Sequence, residues 1–195
     1  MAAKIARTTR YLALLRGINV GGNKKVPMAT LRELAGTLGY LNVATYIQSG
    51  NLMLTATAGA AEVTQALEQS IAKTFGFSVE VIVRTAAQWQ GYQQQPGFAD
   101  AATQRPNLLL LGAAKAPVNA GCADELTRYA KAGERIAVAK DAIWIDFAAG
   151  VGKSKLTPAV IDRAAGSTVT MRNWTTVQTL TGLLIGASAA STSSR

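Results

Sequence analysis

The segment Arg16-Gly17-Ile18-Asn19-Val20-Gly21-Gly22-Asn23-Lys24-Lys25 gathers three cations, two asparagines and three glycines in ten residues. Glycine permits positive φ and puts no side chain between the backbone N–H groups and a ligand, so such a loop can turn N–H groups and cationic side chains towards an anion. Three further segments combine polar or basic residues with turn residues: Gln48-Ser49-Gly50-Asn51, Gly150-Val151-Gly152-Lys153-Ser154-Lys155 and Arg172-Asn173. The candidate ligand-binding set is therefore Arg16, Asn19, Gly21, Gly22, Lys24, Lys25, Gln48, Ser49, Asn51, Lys153, Ser154, Lys155, Arg172 and Asn173. Two nucleotide motifs fail. A P-loop needs a glycine five residues before Gly152, where Phe147 stands, and Gly17, Gly21 and Gly22 do not fit Gly-x-Gly-x-x-Gly. Each segment also has a structural reading. The first is a turn tied by Asn19 and Asn23, the second a hairpin turn, the third a helix capped by Ser154 with solvated lysines, and the fourth a helix capped by Asn173 with Trp174 in the core.

Composition removes most catalytic classes. The chain has 195 residues, one cysteine (Cys122) and no histidine. That excludes an internal disulfide, Ser-His-Asp and Cys-His catalysis and histidine-ligated metal centres, so neither a metal nor a cofactor is expected. An enzyme would work by lysine and arginine electrostatics with Asp146 or Asp162 as base, and no paired acids or partnered nucleophile stand out. The net charge of +9 is uneven. Residues 1–31 hold six cations and no acid, residues 150–195 five cations and one acid, and the middle nine cations and ten acids. Basic charge thus coincides with the glycine-rich segments, the pattern of a localised polyanion site; a basic tail on an ordinary solvated surface gives the same count. Apolar runs are too short for a membrane span or a signal peptide, so a cytoplasmic protein without membrane partners is expected, of open oligomeric state.

The periodicities that must position these residues repeat once. Strand Arg10 to Arg16, helix Pro27 to Leu38, hairpin Val43 to Gln48 with Leu52 to Thr57, a helix from Ala60 closed by Gly76, and strand Ser78 to Arg84 give the order βαββαβ. A linking helix spans Ala86 to Gln95. Strand Asn107 to Leu111, helix Ala123 to Ala132, hairpin strands Arg135 to Ala139 and Ala142 to Phe147, helix Ser154 to Ala165 and strand Thr168 to Met171 repeat the pattern, and a helix from Trp174 to Ile185 follows. The expected fold is α+β: two ferredoxin-like lobes, residues 10–85 and 106–186, the second including the C-terminal helix, with a linker at 86–105 and disordered ends at 1–8 and 187–195. With sheet order 4-1-3-2 and strands 1 and 3 taken as parallel, the loop after strand 1 lies remote from Gln48 to Asn51. Of the aromatics on the strands, Tyr11, Trp144 and Phe147, one of the last two is expected to be buried, which disfavours base stacking on a sheet face.

The blocks Arg16-Gly17-Ile18-Asn19-Val20-Gly21-Gly22, Val26-Pro27-Met28 with Leu31, and Tyr46-Ile47-Gln48-Ser49-Gly50-Asn51 closely resemble the hallmarks of the bacterial family called domain of unknown function 1697. Gly152-Lys153-Ser154-Lys155-Leu156 and Arg172-Asn173-Trp174 with Thr176-Val177 are similar to its C-terminal hallmarks, with Lys153 where arginine is common and Thr175 where asparagine is usual. The resemblance implies a bacterial cytosolic protein with no assigned activity. The residues themselves point to binding of an anionic, phosphate-bearing ligand, with nucleic-acid backbone leading; a phosphorylated small molecule turned over by an enzyme, or a protein-interaction module with structural loops, are the alternatives.

Overall fold

The structure is a computed structural model and describes residues 7–190. It is mixed α+β, with two four-stranded antiparallel sheets and, among the described residues, seven α-helices. The chain divides into two compact units, one ending at Trp89 and taken up again at Leu183, the other Gln90–Gly182.

In the N-terminal unit, β1 (Thr9–Leu15), α1 (Met28–Thr37), β2 (Leu41–Tyr46), β3 (Asn51–Ala56), α2 (Ala60–Phe75) and β4 (Val81–Thr85) form a sheet of order β2-β3-β1-β4. The apolar run Tyr11 to Leu15 makes β1 a central strand buried on both faces. Tyr11, Ala13 and Leu15 meet Leu31, Leu67 and Ile71 of the two helices in one cluster. Each such fully buried Leu or Ile contributes about 1.5–3 kcal/mol relative to an exposed one. Pro27, with φ −62°, leads into α1, and Gly76 ends α2 in the left-handed conformation that glycine adopts without strain.

β1 runs antiparallel to both β3 and β4. The expectation of parallel strands 1 and 3 is therefore overturned, and the reason is the crossover. α1 returns the chain so that β2 runs alongside β1 in direction, and the β2–β3 turn lands at the end of the sheet where β1 finishes. The loop after β1 and the turn at residues 47–50 are neighbours, not opposite poles.

α3 (Ala86–Gln94) follows β4 directly. Then come α4 (Ala99–Gln104), β5 (Leu109–Ala114), α5 (Cys122–Tyr129), β6 (Arg135–Val138), β7 (Ala142–Asp146), a 3-10 turn at Val151–Lys153, α6 (Pro158–Ala165), β8 (Val169–Asn173) and α7 (Trp174–Ala190). The second sheet has order β6-β7-β5-β8, the same arrangement as the first. Four expectations change. Residues 96–105 hold the extra helix α4. Ser154 does not open α6: Thr157 does, its side chain accepting the Val160 N–H, because Pro158 suits the first helical position and disfavours a helical residue before it. α7 continues to Ala190 on a helix-favouring alanine-rich sequence, so 187–190 are helical, while 191–195 and 1–6 lie outside the described residues. Trp144 and Phe147 are both buried, as is Tyr11.

Candidate functional site

The end of the first sheet where β1 finishes is built by three segments: the loop Arg16 to Pro27, the turn 47–50 and the approach to β4. Asn19 ties them together. Its Nδ2 donates to the Val26 carbonyl (3.0 Å) and to the Gln48 carbonyl (2.9 Å), and its Oδ1 accepts the Val26 N–H (2.8 Å). The Leu15 N–H donates to the Gly50 carbonyl (2.8 Å) and the Arg16 N–H to the Glu80 carbonyl (2.9 Å). Buried Ile18 and Val26 anchor the loop from below. Between them residues 19–24 form a small hairpin of their own: Asn19 N–H to the Lys24 carbonyl (3.1 Å), Asn23 N–H to the Val20 carbonyl (3.2 Å). Gly21 and Gly22, with φ of 59° and 79°, are its two central residues, the primed turn that demands positive φ twice. These glycines thus serve the turn.

Of the cations on this scaffold, Lys24 and Lys25 are exposed and Arg16 is partly buried. Arg16, Gly17, Lys24, Ser78 and Glu80 line an open cleft of about 310 Å³. Lys24 Nζ donates to the Ser78 carbonyl (2.8 Å), and Lys25 is exposed beside it in the chain. Asn51 is buried: its Nδ2 donates to the Tyr46 carbonyl (3.1 Å) and to Ser49 Oγ (3.0 Å), which closes the turn. Within that turn Ile47 has φ of 48°. A β-branched residue there is an outlier worth about 1–3 kcal/mol of strain. Ile47 is nonetheless 50% exposed, and Val20 on the small hairpin 68%.

The remaining predicted residues belong to the other unit. Ser154 Oγ donates a short hydrogen bond to Glu134 Oε1 and accepts the Leu156 N–H (3.1 Å), holding the chain between the 3-10 turn and α6. Lys153 and Lys155 flank it, exposed. They are not at the N-terminus of α6, so the anion site inferred from a helix opening at Ser154 is lost. Arg172 is 8% exposed on β8, where its Nη1 donates to Thr170 Oγ1 (3.0 Å) and to the Met171 carbonyl (2.7 Å). Burial pushes its guanidinium down to about 10. Asn173 Oδ1 accepts the Thr176 N–H (2.9 Å) and caps α7, and Trp174 packs edge-on to Trp144, ring centres 5.7 Å apart.

Both acids named as candidate bases are engaged structurally. Asp162 Oδ1 accepts the Val169 N–H (3.0 Å). Asp146 is wholly buried between two arginines: Oδ1 accepts from Arg105 Nε (2.9 Å), and Oδ2 accepts from Arg105 Nη2 (2.6 Å) and Arg135 Nε (2.9 Å). The Arg105 hydrogen bond, with help from Arg135, holds the Asp146 carboxyl below its usual range against the opposing effect of burial. Asp100 joins through Arg135 Nη2 (2.7 Å), and the Phe98 ring lies under the Arg135 guanidinium at 4.5 Å. Ser78 and Glu80 line the cleft but are not among the residues the sequence singles out. Ser78 and Glu80 reach the cleft by strand pairing, invisible in local sequence, and Ile47 reads as an ordinary strand residue until its φ is known.

The family described as "Protein of unknown function (DUF1697)" matches residues 8–144. The chain belongs to DUF1697. No curated protein matches this DUF1697 chain. Among solved structures it is similar to the conserved bacterial protein SP0830 from Streptococcus pneumoniae, with a TM-score of 0.72 and 24% identity over 91% of this chain and 99% of that one. At that identity the likeness concerns the fold. No helix among the described residues of this DUF1697 protein is long and apolar enough to cross a membrane.

Proposed function

We propose that the N-terminal unit binds a phosphate-bearing ligand, with nucleic-acid backbone the leading candidate, at the cleft of Arg16 and Lys24 with Lys25 on its rim. The observation that carries this reading is the hydrogen-bonded hairpin 19–24, which holds two lysines at its exit on a fixed frame. Fixed cations bind a polyanion without the entropy cost of ordering a loose loop. Glu80 at the cleft wall argues for contact at the rim rather than deep enclosure of phosphate. Sheet-face base stacking is disfavoured by the burial of Tyr11, Trp144 and Phe147, so backbone contact without sequence readout is the mode. Catalysis is disfavoured because Asp146 and Asp162 already serve the fold. We also read each unit as a ferredoxin-like lobe, which the βαββαβ order and shared strand order support, and the protein as cytoplasmic. Titrating mixed-sequence DNA and RNA over a salt series tests the reading. Affinity should fall steeply with salt, and should fall again on replacing Lys24 and Lys25 with alanine. Absence of binding at low salt overturns it.

A further inference from the structure

The same end of the N-terminal unit carries two exposed aliphatic side chains that its frame does not need: Val20 on the small hairpin and Ile47 on the β2–β3 turn. Hydrogen bonds from Asn19 to Gln48 and from Leu15 to Gly50 hold the turn against the basic loop, so the segments that carry the two apolar side chains and the cations meet at one end of the sheet. The turn is also rigid. Gly50 has φ of 76° and no room for a Cβ, which would meet the Leu15 Cβ at 2.7 Å, and Asn51 closes the turn from inside. Within this frame Ile47 keeps a backbone conformation that glycine or asparagine would occupy without strain. Half of its side chain nevertheless stands in solvent.

From this we infer that Ile47, supported by Val20, is an apolar wedge that enters a base step of duplex nucleic acid while Arg16, Lys24 and Lys25 hold the phosphates. The inference rests on the proposed anion site and names how that site engages its ligand. Basic rims beside a protruding aliphatic tip are the combination by which proteins unstack and kink a duplex. Anionic lipid would also attract a basic, apolar surface. A fluid bilayer needs only apolar area, however, which an unstrained residue supplies equally well; a base step needs one side chain placed rigidly, and a strained, tied-down turn meets that need.

The test uses the full chain and duplex DNA carrying 2-aminopurine, whose fluorescence rises when it unstacks. Wild-type protein at saturation should raise the signal. Ile47→Gly and Ile47→Asn, both at ease at positive φ, should bind about tenfold more weakly, raise no signal and keep the wild-type salt slope. Lys24→Ala with Lys25→Ala should lower the salt slope yet still raise the signal at saturation. Saturated wild-type complex with unchanged fluorescence, or Ile47 variants that bind and fluoresce like wild type, overturns the wedge while leaving the anion site standing. Failure of wild type to bind duplex at low salt, with capture by anionic phosphatidylglycerol vesicles that Ile47→Asn abolishes, overturns both.

Discussion

The two units use one scaffold in two ways. In each, the loop after the first strand is tied to the hairpin turn and to the approach of the last strand. In the N-terminal unit Asn19 reaches Gln48 and the Arg16 N–H reaches the Glu80 carbonyl; in the C-terminal unit the Val118 N–H reaches the Lys140 carbonyl (2.9 Å) and the Lys115 N–H the Thr168 carbonyl (2.9 Å). The second loop, Lys115 to Gly121, is short and goes straight into α5, whereas the first adds the hairpin 19–24. The fold evidently closes without that addition. The cations differ as well: in the C-terminal unit Arg105 and Arg135 close onto buried Asp146 while Lys153 and Lys155 stand exposed, and in the N-terminal loop Lys24 rests on the Ser78 carbonyl with Lys25 exposed beside it. That extra element, carrying Lys24 and Lys25, is the feature on which the proposed anion site rests.

Substitutions sharpen this contrast in descending order of effect. Gly50→Ala should cost about 4 kcal/mol, positive φ and overpacking against Leu15 adding together, measured by urea unfolding. Asp146→Ala should cost about 3 kcal/mol, the low end for breaking a buried pair because both arginines reach solvent. The Asp146 carboxyl sits below its ordinary 3.8 in the folded protein, so its stabilisation is fully present above that pH and is lost as pH falls through the lower, folded value. Acid unfolding monitored by circular dichroism should therefore show a loss below pH 3.8 that the Asp146→Asn variant lacks. Asn19→Gly, which keeps the positive φ but removes three hydrogen bonds, should cost about 2 kcal/mol and raise amide exchange in residues 19–24 selectively. Ile47→Gly should stabilise the chain by about 1 kcal/mol, the strain relieved outweighing the flexibility gained by the unfolded chain. Destabilisation by Ile47→Gly would mean that the isoleucine is there for packing, and the contrast between the units would lose its N-terminal half.

Most of the fold was legible because local signals agree with it. The apolar run Tyr11 to Leu15, the Leu31 and Leu34 spacing, the Gly76 stop and the β-branched Val81 to Val83 each predict what forms. What was hidden depends on tertiary geometry. The direction of β2 relative to β1 is set by the crossover, so the meeting of Asn19 with Gln48 was not readable from spacing. Thr157-Pro158 outcompeted Ser154 as a helix start, and that signal was present in the sequence but less conspicuous than Gly-Lys-Ser. In the site, the cations and the two asparagines were visible. The double positive φ at Gly21-Gly22 shows those glycines shaping a turn, and Ser78 and Glu80 enter the cleft from a distant segment.

The most direct test of the central claim is the salt dependence of duplex binding by wild type beside Lys24→Ala/Lys25→Ala. The double variant should unfold within about 0.5 kcal/mol of wild type, since both lysines are exposed. Its plot of log affinity against log salt should be shallower by about 2, one unit for each phosphate contact removed. An unchanged slope in a folded variant would contradict the claim and return the loop to being a structural turn.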